Sequence, residues 1–148
     1  MIKKHDPAKF HVHLKVIMKN KKGQYLLLQS NSRKARWRGS NDLPGGRINK
    51  DEMNLEFHKI IDREIKEEVG PRIKYNLRPD PVSLAKIRYA QEPERFYVLF
   101  EAHYLSGKIK LSDEHIGYTW QEVNRHNINK IFPRILHQLM SNYLKWNI

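Results

Sequence analysis

Between Gly45-Gly46 and Gly70 the chain reads GGRINKDEMNLEFHKIIDREIKEEVG, a glycine loop running into a helix with two chemically opposed faces. Side chains three and four positions apart are neighbours on a helix. Phe57, Ile61, Ile65 and Val69 therefore form an apolar row, while Glu64, Glu67 and Glu68 share a charged face. The apolar row packs and the acids stay together. Crowded anions repel one another, and a hard divalent cation with oxygen ligands is the ordinary remedy. The segment reads as a magnesium-type site.

Leu43-Pro44-Gly45-Gly46 and the run Arg63-Glu64-Ile65-Lys66-Glu67-Glu68-Val69-Gly70 together resemble the box of the Nudix hydrolase superfamily, G-x5-E-x7-R-E-U-x-E-E-x-G-U with U bulky and apolar. Gly46 and Glu52 meet the first spacing, and Arg63 to Gly70 meets the last. Two departures stand out. Ten residues, 53–62, separate Glu52 from Arg63 where the pattern has seven, and Pro71 occupies the final apolar position. Three extra residues turn a helix by about 300° and lengthen it by roughly 4.5 Å, so an added turn nearly restores the phase. One reading starts the helix early, with Asn49 as N-cap and Glu52 at the third position in a capping-box variant. The other is a longer loop.

The resemblance implies an α/β fold, a Nudix-type α/β/α sandwich with a mixed sheet between helices, formed by residues 1–148 as a single domain. It implies Mg²⁺, or Mn²⁺, held by Glu64, Glu67, Glu68 and the Gly46 carbonyl. Arg63 and Glu52 become structural support, Arg63 pairing with an acid of the box such as Glu52 or Glu56. A second segment, Glu114-His115-Ile116-Gly117-Tyr118-Thr119-Trp120, resembles the E-H-x-x-Y-x-W turn of some Nudix enzymes. In that comparison Glu114 faces the box helix and joins Glu64, Glu67 and Glu68 as a candidate ligand or base, His115 is a lesser candidate, and Trp120 is core.

The chain contains no cysteine, so thiolate catalysis, zinc–thiolate binding and a disulfide framework are excluded, and the cytoplasm is the default location. The first residues lack the apolar stretch of a signal peptide, and no segment reaches membrane-spanning length. Lys and Arg total 28 against 16 Asp and Glu, a net charge of +12. A positive field of this size speeds encounter with nucleotides, polyphosphates or nucleic acid without choosing among them.

Alternation predicts a strand over Phe10–Lys19, a turn at Lys22-Gly23 and a second strand from Tyr25, together a hairpin. The basic stretch from Ser32 to Ser40 offers Arg33, Arg36 and Arg38 as phosphate-binding guanidinium groups, with Trp37 expected to pack under the glycine loop. Strands follow over Val82–Tyr89 and Arg95–Leu105, then Lys108–Leu111, with Tyr89 and Tyr97 as candidates for stacking on a nucleobase. Ile128 to Trp146 has the spacing of one packing helix, capped near Asn129 with Pro133 in its first turn. The functional expectation is metal-dependent hydrolysis of a diphosphate linkage in a nucleoside diphosphate derivative, with nucleoside triphosphates or dinucleoside polyphosphates favoured. A non-hydrolytic nucleotide sensor or RNA-binding module is the alternative.

Overall fold

The computed structural model describes residues 4–34, 37–88 and 93–147. Strand β1 (Phe10–Lys19) is the axis of a mixed eight-stranded sheet. Its alternation sends Leu14, Val16 and Met18 to one face and His13, Lys15 and Ile17 to the other. The turn at Gly23, whose φ of +76° suits glycine, leads into β2 (Tyr25–Ser30). The two strands pair antiparallel at Lys19↔Tyr25, and β2 is then paired with β8 (His115–Gln121) and with the short β3 (Asn41–Asp42).

On one side β1 meets β7 (Glu94–Ser106) in parallel, from Phe10↔Glu94 to Lys19↔His103. On the other it holds β4 (Gly45–Arg47) antiparallel, with His13↔Arg47 and Lys15↔Gly45. Strands β5 (Lys74–Leu77) and β6 (Ser83–Ile87) complete the sheet along β7. The β5 segment was not anticipated by the sequence reading, because four residues give too short a pattern to register. The expected strand over Lys108–Leu111 is absent: the chain there is a strap whose Lys110 N–H donates to Val69 O at 2.7 Å, with Ile109 and Leu111 packed on the core.

Helix α1 (Phe57–Glu68) covers one face of the sheet, burying Ile60, Ile61, Ile65 and the following Val69 against Leu14, Val16, Leu26, Leu28 and Phe100. Phe57 stays half exposed, its ring edge on Phe100 at 5.8 Å, so Ile60 takes the buried place expected of it. The opposite face buries Ile17, Tyr25, Leu27 and Leu43 against the C-terminal segment. Adjacent residues of β2 thus serve different cores, and the layers are α/β/α.

The C-terminal segment is three pieces rather than one helix. Helix α2 (Ile128–Ile131) is N-capped at Asn127, not Asn129, and a 3₁₀ turn over Arg134–Leu136 leads into α3 (His137–Trp146). Pro133 makes the break, since its ring disfavours helical geometry in the residue before it, and Phe132 is extended at φ −102°, ψ 148°. Among the described residues no helix is long and apolar enough to cross a membrane.

Candidate active site

The glycine loop, the box helix and the start of β8 surround a cavity of about 860 Å³. Its floor comes from β1. In-register pairing places Arg47 on one side of His13 and Tyr97 on the other, while Lys15 lies beside Gly45. Gly45 is held at φ +130°, and a Cβ there would stand 2.0 Å from Leu14 O, so only glycine allows β4 to lie this close to β1. A Cβ on Gly46 would stand 2.5 Å from Glu64 Oε1. The absent side chain at Gly46 is the space that the helix carboxylate fills.

Two of the three box carboxylates are buried. Glu64 and Glu68 are 8% and 6% exposed, while the Glu67 side chain is 58% exposed and accepts a hydrogen bond from Arg63 at 3.1 Å. Burial raises the pKa of both buried acids, that of Glu68 to about 8; Lys15 and the Gly45 N–H, which donates to Glu68 Oε2 at 3.0 Å, oppose the rise. Lys15 is itself buried, which disfavours its charge. Asp42, Glu68 and Tyr97 outweigh that effect and raise its pKa, and its Nζ contacts Asp42 Oδ2 at 3.1 Å and Leu43 O at 3.3 Å. This ion pair ties β1 to the approach of the glycine loop.

The insertion is resolved as a longer loop with the capping geometry retained. A 3₁₀ turn over Lys50–Glu52 follows Asn49, whose N–H donates to Glu52 Oε1 at 3.0 Å. Residues 53–56 form a turn, and α1 begins separately at Phe57 because Glu56 is extended. The early helix start is therefore not observed. Glu52 nonetheless reaches Arg63: Nε to Oε2 is 2.6 Å and Nη2 to Oε1 is 2.8 Å, and these hydrogen bonds are the main reason its pKa is lowered. Arg63 also touches Glu64 at 3.0 Å and Glu67 at 3.1 Å.

Glu114 ends the turn before β8 and lines the same cavity as Glu64, Glu67, Glu68 and Gly46. The E-H-x-x-Y-x-W segment is mostly strand, since Gln29↔Gly117 through Leu26↔Trp120 pair along β2. Trp120 is half-buried against Tyr104. His115 also lines the cavity; burial lowers its pKa, and its buried Nδ1 has no hydrogen-bond partner among the described residues.

The basic stretch contributes differently from expectation. Arg33 and Arg38 are exposed and do not line the cavity. Arg36 and Tyr89 lie outside the described residues. Trp37 lines a neighbouring cavity rather than sitting under the glycine loop. Besides Arg63, the cations that line the cavity are Lys15, Arg47 and Arg95; His13 lines it as a neutral imidazole, since its pKa falls to about 3 through burial and then through Lys15, Arg95 and Arg47. Sequence reasoning missed them. Their signal was a lysine inside the apolar run of β1 and basic residues at strand ends flanking it.

Among the described residues, no three acid or imidazole groups stand together as a ready ligand set, and Arg63 lies between Glu64 and Glu67. The donor chemistry still fits a hard divalent cation: carboxylate oxygens are concentrated on one wall, two of them buried, beside a glycine that leaves room for approach.

The NUDIX domain family model matches residues 9–140. No curated protein sequence matches. Solved structures share the fold: a MutT protein from Methanosarcina mazei Go1 at 23% identity, covering 97% of this chain and 99% of that one with a TM-score of 0.76, is one. Others are a C. elegans Ap4A hydrolase at 18% identity, 90% and 94% coverage and TM-score 0.64, and an ADP-ribose pyrophosphatase from Streptococcus suis 89-1591 at 16%, 93% and 91% coverage and 0.63.

Proposed function

The chain belongs to the NUDIX domain family of pyrophosphohydrolases, and from that membership we propose that it cleaves a diphosphate linkage in a nucleoside triphosphate or dinucleoside polyphosphate with Mg²⁺ as its metal. One observation carries this reading. A single cavity brings the carboxylates Glu64, Glu67, Glu68 and Glu114 together with the cations Lys15, Arg47, Arg63 and Arg95. A polyphosphate needs cations for its oxygens and an acceptor for the proton of attacking water, and that cavity has both.

Glu64, Glu67 and Glu68, with the Gly46 carbonyl, would hold the metal. Bound there, a divalent cation would offset the diphosphate charge and make water easier to deprotonate. Arg47 and Arg95, which line the same cavity, would orient the phosphates, since guanidinium forks match phosphate oxygens. Arg63 keeps Glu64 and Glu67 in place and braces them on Glu52. One acid of the group Glu64, Glu67, Glu68 and Glu114 takes the proton from water. The names of structurally similar proteins, Ap4A hydrolase and ADP-ribose pyrophosphatase among them, support a nucleoside diphosphate derivative as substrate class.

The test is a panel of nucleoside triphosphates, dinucleoside polyphosphates and ADP-ribose with Mg²⁺ and Mn²⁺, following release of nucleoside monophosphate. Glu67→Gln and Glu68→Gln should each lower turnover at least about a hundredfold while circular dichroism shows an intact fold. Wild-type rates in both variants would overturn the assignment.

A further inference from the structure

Lys15 sits in the apolar run of β1 at 6% exposure, and a buried ammonium persists only where acceptors meet it. Two acceptors do, and both belong to the approach of the glycine loop. Nζ lies 3.1 Å from Asp42 Oδ2 and 3.3 Å from Leu43 O. Asp42 in turn accepts the Leu43 N–H on Oδ1 at 2.7 Å, so the ion pair and the first peptide of the loop form one unit.

Backbone polar groups that leave a sheet need partners, and through residues 43–45 each partner is identifiable. Leu43 is held at both its N–H and its carbonyl by the Lys15–Asp42 pair. Pro44 has no N–H, and its carbonyl accepts from the Val16 N–H at 2.9 Å. Gly45, beside Lys15 in the register of β1 with β4, gives its N–H to Glu68 Oε2 at 3.0 Å. Among the described residues no backbone hydrogen bond joins one of residues 42–46 to another. The loop is therefore shaped from outside, and Lys15 is the side chain with which β1 shapes it. Arg63 grips Glu64 and Glu67, but the hydrogen-bond donor to Glu68 among the described residues is the loop itself.

We propose that Lys15 is a positioning residue for the metal site: by holding Asp42 and the Leu43 carbonyl it fixes the glycine loop, and the loop fixes Glu68 through the Gly45 N–H. The proposal rests on the reading of Glu68 as a metal ligand. Charge alone would have Lys15 oppose a divalent cation and Asp42 attract it, whereas positioning makes the two act in the same direction.

Titration of the full chain with Mn²⁺, followed by electron paramagnetic resonance of the free ion, separates these. Lys15→Met and Asp42→Asn should each weaken Mn²⁺ binding at least about tenfold, and the double variant should lie within about twofold of either, since all three break the same link. Circular dichroism melts establish that each variant is folded. If Lys15→Met alone does not fold, the double variant carries the test: removing both charges together leaves the field nearly unchanged, so charge alone predicts wild-type affinity there. Tighter binding in Lys15→Met, additive losses, or wild-type affinity in the double variant would overturn the role of Lys15 and leave the metal reading standing. A wild type that binds no Mn²⁺ would overturn the metal reading itself, and the proposal with it.

Discussion

Arg63 and Glu52 allow the brace behind the carboxylate wall to be tested in isolation. Glu52 is 5% exposed and receives two charged hydrogen bonds from a guanidinium whose side chain is 32% exposed. Removing one partner of a fully buried pair costs about 3–5 kcal/mol, largely through the charge left stranded. Solvent reaching Arg63 reduces this, so Arg63→Ala should cost about 3 kcal/mol, or roughly 9 °C in Tm for a domain of this size. Glu52→Gln in the wild type should cost about 1 kcal/mol, because Arg63 keeps Glu64 and Glu67.

In the Arg63→Ala background the same change should reverse sign and recover about 1 kcal/mol, since it removes the stranded carboxylate. Urea unfolding of the four proteins supplies the cycle. The sign of the pH dependence follows from the lowered pKa of Glu52: its contribution is present above the ordinary value of 4.5 and is lost as the pH falls through the folded value, so the gap between wild type and Arg63→Ala should close in acid. A Glu52→Gln change that destabilises equally in both backgrounds would refute the brace.

The two loop glycines should separate stability from activity. Gly45→Ala meets the Leu14 backbone at positive φ and should prevent stable folding, seen as loss of a cooperative melt. Gly46→Ala meets only the end of the Glu64 side chain, so it should melt within about 2 kcal/mol of wild type yet lose most turnover in the substrate panel. His13, with a folded pKa of about 3 against an ordinary 6.5, should show no NMR titration between pH 5 and 8. Because its folded value is depressed, it favours the native state fully above pH 6.5 and progressively less towards pH 3, and His13→Gln should flatten that part of the stability profile.

How far the sequence spoke depended on the length of each pattern. Strand β1 was legible to both of its ends because ten residues alternate without interruption, and α1 was legible from its apolar spacing. Strands β3, β4 and β5, of two to four residues, exist through their neighbours, chiefly β1, β2 and β7, and carry no periodicity of their own. The C-terminal helix was read as continuous because its apolar spacing survives the interruption, although Pro133 had marked the break. The acids of the site were legible because three lie within five residues of one helix. Its cations were not: Lys15, Arg47 and Arg95 come from three strands and meet only through the pairing of β1 with β4 and β7.

That pairing also sets when in the life of the chain a site can exist. Residue 10 of β1 lies beside residue 94 of β7, a parallel contact that must close a long loop before it gains anything, and such pairings form slowly. A nascent chain that has emerged as far as Gly70 already carries the whole glycine loop and acidic helix in its sequence. It still lacks Arg95, Tyr97 and Glu114, and its first strand has no parallel partner. Synthesis therefore completes the motif well before it completes the cavity.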